Sequence, residues 1–354
     1  MNRNFQKNPL FFKKTGATPL WLYLLLPLIC VGMLYAGILY WPVTPSNPNN
    51  GNDSSFKVKV NPQSGTASIG QQLADQGVRT SATAFQIAAY ALFVGSKLKP
   101  GTYLLPLGSS TGNILLQMAR GERVKESLTI IPGMTIWQVR ALVDAHPALV
   151  HLTKNMNSQN FVDSLKLDYP SAEGLFFPDT YTFDPDDSDL AIYRRAVVAM
   201  QKQLDSVWLK KDLPSPYRNP YQLLTLASII EKETGRSVDR NLVAAVFVNR
   251  LNKNMLLQTD PTIIYGLGPQ FNGNLKKADL RRNSPYNTYM LKGLPPTPIA
   301  MPSRESLLAA AHPEHSQALF FVAKGDGSSH FSSTLREHES AVDLYQRKLA
   351  PKKQ

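Results

Sequence analysis

The 354-residue chain has one cysteine, Cys30, so it can form neither an internal disulfide framework nor a multi-cysteine zinc site. Histidine is scarce as well. Pro313 lies between the one close pair, His312 and His315, which argues against a helical metal site there. No metal and no cofactor are therefore expected. The 21 Gly and 26 Pro are scattered without a period, which excludes a collagen-like or largely disordered chain. The net charge is +12, yet there is no basic helix with base-reading side chains and no aromatic RNA-binding signature. Nucleic acid is thus a poor partner, and the basic excess suits a membrane or an acidic wall polymer better.

Acid is missing before Asp53, where Arg3, Lys7, Lys13 and Lys14 stand together. Charge of either sign is missing from Leu20 to Trp41. That run is long enough to cross a bilayer of about 30 Å as one helix. Trp21, Tyr23, Tyr40 and Trp41 lie near its ends, where amphipathic rings favour the interface. A cleaved signal peptide would have an apolar region of about 7–15 residues and a small-x-small site. This run is longer and ends in Leu39-Tyr40-Trp41. The expectation is a cytoplasmic tail over 1–19, an uncleaved plasma-membrane (inner-membrane) anchor over 20–41 and a flexible tether over 42–55. The rest of the chain would be exported.

The exported part reads as α+β. Phe56, Val58 and Val60 alternate with lysines, as in a half-buried strand. A short helix capped by Ser68, a second over Ser81–Phe93 and a returning strand at Gly101–Leu105 complete a β-α-α-β unit. Thr111–Arg120, closed by Gly121, is a further helix. This order resembles the small LysM glycan-binding module and sets a subdomain at 56–123. From 124 to 354 a mixed α+β domain is expected. It has a strand at Ser127–Ile131 and helices at Thr135–Ala145, Leu190–Leu204, Tyr221–Glu233 and Val238–Leu251. Asp260 is a candidate cap for a shorter helix, and Ser303 for another that runs to Ala311. A hairpin pairs Leu319–Ala323 with His330–Ser333, and the aromatic segment Glu173–Tyr181 reads as irregular.

Chemistry concentrates on the helix Tyr221–Glu233. Leu223, Leu224, Leu226, Ala227 and Ile230 form an apolar arc, and Glu231 falls on its edge. A carboxyl there is partly desolvated, as a general acid for glycosidic cleavage must be. The competing reading is an edge glutamate bonded to Arg250, Arg240 or a backbone amide. Glu233 points nearly the opposite way and reads as solvated or ion-paired. Asp260 and Glu173 are the candidates for a second carboxylate.

The blocks EGLFFPDTYTF (173–183), LASIIEKETG (226–235), VFVNRL (246–251), LQTDPTIIYGLG (257–268), SPYNTYMLKGLPPTPIAMP (284–302) and HFSSTLREH (330–338) occur in that order. Together they closely resemble the MltG/YceG-like endolytic murein transglycosylases. The resemblance implies a lyase that cuts the MurNAc-β-1,4-GlcNAc bond of nascent peptidoglycan without water. The products would carry 1,6-anhydroMurNAc ends, and strand elongation would be limited. It implies Glu231 as the catalytic acid/base. It leaves Glu173, Asn249, Gln258, Asp260, Tyr286, Asn287 and Tyr289 as candidate substrate-binding residues, with His330 and His338 structural. Glycan polymerases and transpeptidases are the implied partners. A muramidase hydrolysing the same bond is the enzymatic alternative, and a non-catalytic glycan-binding scaffold the other.

Overall fold

A computed structural model describes residues 20–44, 55–212 and 215–347. The segments expected to form a cytoplasmic tail (1–19) and most of a tether (45–54) lie outside the described residues. The chain divides into two compact units between Val124 and Lys125.

In the first unit, helix α1 (Leu20–Tyr40) carries Pro27 inside it. Among the residues whose side chains are described, which in α1 are 25–40, no helix is long and apolar enough to cross a membrane. Strand β1 (Ser55–Val60) pairs antiparallel with β2 (Gly101–Pro106), placing Val58 opposite Tyr103. Helices α2 (Thr66–Asp75) and α3 (Ala82–Ala91) come between them in the chain. Val58, Leu73, Phe85, Tyr103 and Leu105 close the core. Ser81 caps α3 through its hydroxyl, whereas α2 begins at Gly65 and leaves Ser68 inside the helix. Ser110 caps helix α4 (Thr111–Arg120), and Gly121 ends it at φ 74°. A left-handed residue there is a usual helix stop, at no steric cost to glycine.

The second unit opens with β3 (Glu126–Thr129), α5 (Ile136–Asp144), β4 (Leu149–Val150) and α6 (Ser158–Ser164). Thr135 and Gln138 form a capping box at the start of α5. Strand β5 (Thr180–Phe183) pairs antiparallel with β3, so the expected irregular segment ends in a strand. A two-residue β6 (Asp187–Ser188) lies parallel to β4. Then come α7 (Asp189–Trp208), α8 (Pro220–Glu233), α9 (Ser237–Asn252), α10 (Asp260–Leu267) and α11 (Arg304–Ala311). The hairpin β7 (Phe320–Ala323)–β8 (Ser329–Ser332) and helix α12 (Leu335–Val342) follow.

The scaffold for the site is α8. Asn219 caps it, and Pro220 stands in its first turn. Every residue from Leu223 to Ile230 is buried, Thr225 and Ser228 included. The two hydroxyls bond back to carbonyls, Thr225 to Tyr221 and Ser228 to Thr225. That satisfies them without water. Packing of α7, α9, α10 and α11 around α8 thus leaves its C-terminal end to project the two glutamates.

Candidate active site

The last turn of α8 carries Glu231 and Glu233, and the fold sends them to different places. Glu231 turns to the N-terminus of α11. Its Oε2 accepts from the Ser303 amide at 2.8 Å, the Ser303 hydroxyl at 2.5 Å and the Ser306 hydroxyl at 2.7 Å. A negative group at a helix N-terminus also complements the helix dipole. The partners are two hydroxyls and an amide, rather than Arg240 or Arg250.

Glu233 enters a cavity of about 380 Å³. Phe247 and Arg250 of α9, Gln258 and Asp260, Tyr289, the hairpin and α12 supply its other walls. Burial pushes the Glu233 carboxyl above the usual carboxylate range, and the negative charge of Asp260 adds to this. A hydrogen bond from the Thr259 hydroxyl to Oε1 works the other way. The side chain is therefore poised to hold a proton beside a wall with polar groups. The sequence expectation of a solvated or ion-paired Glu233 is corrected: hairpin and α12 segments more than 80 residues downstream help to enclose it.

Asp260 is the first residue of α10, with Thr259 at the cap position, so it is not the cap. Its Oδ1 accepts the Tyr289 hydroxyl at 2.7 Å. Arg250 is buried and donates to the carbonyls of Leu256, Leu257 and Leu319. It thereby ties the hairpin to the segment that carries Gln258 and Asp260. Gln258 adopts φ 51°, a left-handed conformation uncommon for a residue with a side chain. His338 lines the same cavity, and its ring stacks on Phe320 with centroids 5.2 Å apart. Burial and the nearby Arg250 charge hold its pKa below the usual histidine value, which favours the neutral ring.

Of the sequence candidates, Gln258, Asp260 and Tyr289 thus meet around Glu233. The others do not line this cavity. Glu173 is fully buried and accepts from the Ile136 amide at the start of α5 and from the Gly174 amide. Burial pushes its pKa up to about 7, against these bonds. Asn249 donates to the carbonyls of Ser316 and Ala318. Asn287 is buried and donates to those of Leu280 and Arg282. Both side-chain NH2 groups are committed to backbone carbonyls in this fold. The Tyr286 hydroxyl pairs with Thr297, and its ring meets Tyr265 edge-on. Arg250 was considered only as a partner of Glu231, and His338 only as structural. One signal was legible for both glutamates without separating them: an acid in the last turn opposes the helix dipole, and such violations concentrate at functional sites.

The sequence pattern of the YceG-like family matches residues 58–344. The chain is 33% identical over 315 residues to the endolytic murein transglycosylase of Bacillus subtilis (strain 168), covering 83% of this chain and 86% of that protein. It is 29% identical over 280 residues to the endolytic murein transglycosylase of Streptococcus pneumoniae serotype 2, covering 69% of this chain but only 50% of that longer protein. Among solved structures, a YceG-like protein of Listeria monocytogenes superposes with a TM-score of 0.51 at 30% identity, covering 82% of this chain and 99% of that one. From residue 58 to residue 344, this chain belongs to the YceG-like family.

Proposed function

We propose that this enzyme cleaves the MurNAc-β-1,4-GlcNAc bond inside peptidoglycan strands by a lytic route, with Glu233 as its acid/base. The observation that carries the reading is a desolvated glutamate in a cavity shared with Asp260, Tyr289 and Gln258. The relatives' naming as endolytic murein transglycosylases supplies the substrate class. Protonated Glu233 gives its proton to the bridging oxygen as the C1–O bond breaks. The C6 hydroxyl of the same muramic residue attacks C1, and its proton returns to Glu233. A 1,6-anhydro ring closes, the enzyme is restored and no water is consumed. Asp260, on the wall of the same cavity, raises the proton affinity of Glu233, while Tyr289 holds the Asp260 carboxylate in place.

The same reading takes residues 20–41 as a plasma-membrane anchor, with the N-terminus cytoplasmic and the chain beyond residue 41 exported. The β-α-α-β unit is taken as LysM-like and as an aid to strand binding. Cutting nascent strands would limit their elongation beside the glycan polymerases and transpeptidases. Asp260 gives the hydrolytic alternative its own support, because a second carboxylate shares the cavity. Mass spectrometry of products from purified glycan strands tests both. Anhydro-muramic ends from the wild type, lost in Glu233→Gln, are expected. Reducing muramic ends would replace the lyase with a muramidase, and full activity in Glu233→Gln would remove the assignment.

A further inference from the structure

The exit of α1 from its apolar run is built into the first unit. Pro42 bridges Ser110, the Val43 amide donates to the Ser109 carbonyl at 2.8 Å, and the Arg79 amide donates to the Val43 carbonyl at 2.7 Å. Val43 and Thr44 are buried, which corrects the expectation of a flexible tether starting at residue 42. Deeper in the helix, the Tyr35 hydroxyl donates to the Ala91 carbonyl at the C-terminal end of α3, at 2.5 Å. Gly112 of α4 permits close approach, since a Cβ there would stand 3.0 Å from the Ile38 carbonyl oxygen. The final turns of α1 are thus fastened to α3, α4 and the 109–110 segment.

This fastening sets a depth. The 21 residues of α1 span about 31 Å, close to the hydrocarbon thickness of a bilayer. Tyr35 lies five residues before the end of the helix, about 7.5 Å inside it. The C-terminal end of α3 is tied to that part of α1 by the Tyr35–Ala91 bond. There α3 presents Ile87 and Tyr90, one helical turn apart, and Phe93 just beyond its end, 51%, 64% and 84% exposed. Phe93 has φ 55° in the left-handed stop position where glycine is usual. A bulky aromatic strained there and turned outward calls for a functional reason. Between α1 and α3 lies an apolar cavity of about 460 Å³, with Met33, Leu34, Ile38 and Ile87 on its wall and Arg79 as a charged lining residue.

We infer that this edge of the first unit is a second membrane contact: Ile87, Tyr90 and Phe93 seat in the outer interface of a lipid bilayer, and the cavity beside them receives lipid. The inference rests on the reading of α1 as an anchor. A bilayer is favoured over a protein partner because α1 itself forms one wall of the cavity. The exposed side chains of Leu26, Leu28 and Met33 continue the same apolar surface along that helix. The Tyr90 ring, with its polar tip, suits the interface, Ile87 and Phe93 add apolar contact, and Arg79 suits a lipid phosphate.

The test uses the full chain in a Cys30→Ala background, reconstituted in vesicles of phosphatidylethanolamine and phosphatidylglycerol. An environment-sensitive fluorophore is attached after Phe93→Cys or Ile87→Cys, and after Leu28→Cys as the anchor control. The expected result is a blue shift, loss of emission with brominated acyl chains and protection from aqueous iodide at 93 and 87 as well as at 28. Quenching at 28 with iodide-accessible, unquenched labels at 93 and 87 would overturn the inference and leave the anchor standing. A protein occupant would give that same overturning pattern in these protein-free membranes. Absence of lipid quenching at 28 would overturn the anchor, and this inference with it.

Discussion

Replacing each glutamate of the α8 terminus by glutamine should separate holding from catalysis. At Glu231 the change removes the charge from an oxygen that accepts three hydrogen bonds. A glutamine oxygen can still accept them, but each falls from a charge-assisted bond to a neutral one, a difference of about 1 kcal/mol. Loss of the favourable interaction with the start of α11 adds roughly 0.3–1 kcal/mol. Because the side chain is partly exposed, solvent screening brings the expected total down to about 2 kcal/mol. For a unit of this size that lowers Tm by roughly 4–8 °C. Activity should fall less than about tenfold, with an unchanged pH profile, because Glu233 keeps its proton chemistry.

At Glu233 the signs reverse. Its carboxyl is raised above the unfolded value, chiefly by burial. The associated stability is fully present below the unfolded pKa and is lost as pH rises through the folded one. Glutamine carries no such loss and can still accept the Thr259 bond. Glu233→Gln should therefore melt at least as high as the wild type at pH 8, while kcat falls by roughly 10²–10⁴-fold. Release of anhydro-ended fragments from glycan strands, measured beside melting curves at pH 5 and 8, checks both variants. A Glu231→Gln protein that melts normally yet is as inactive as Glu233→Gln would refute this division of roles.

Three further outcomes follow from the same contacts. Glu173 is raised from 4.5 to about 7 and is fully buried, so the stability tied to it is present below about pH 4.5 and lost as pH rises through about 7, a change of about 3 kcal/mol. Glu173→Gln should flatten the Tm–pH curve over that window, and an unaltered slope would count against it. Arg250→Lys keeps the charge but cannot reach three carbonyls with one planar group. It should cost about 3 kcal/mol in denaturant unfolding and lower kcat/KM through the displaced Asp260 segment. Gly112→Val should drive α4 from Ile38 and Leu39, and protease sensitivity around residue 44 should rise.

Much of the fold was legible because local chemistry and final structure agree. Ser81, Ser110, Asn219 and Ser303 all cap helices through their side chains. The alternation at Phe56–Val60 became a strand whose valines are buried. The shortest elements, β4 and β6, escaped because two-residue pairings separated by nearly forty residues leave no periodic pattern. Asn249 and Asn287 show a related limit of pattern reading. An amide suited to a sugar is equally suited to buried carbonyls, and only the tertiary path of residues 280–282 and 316–318 decides which it meets.

The two glutamates show where pattern reasoning reaches its limit. Placing Glu231 at the edge of an apolar arc assumes one dry face and one wet face. Helix α8 has no wet face between Leu223 and Ile230, because α7, α9, α10 and α11 cover it all round. The position on the wheel therefore does not rank desolvation; what stands opposite each side chain does. Opposite Glu231 stand the hydroxyls of Ser303 and Ser306 and a helix N-terminus, which solvate a carboxylate well. Opposite Glu233 stand one threonine hydroxyl, another carboxylate and the aromatic and aliphatic wall brought by the hairpin and α12. Two residues of equal type, separated by one lysine, acquire different chemistry from segments about 25 to 105 residues downstream.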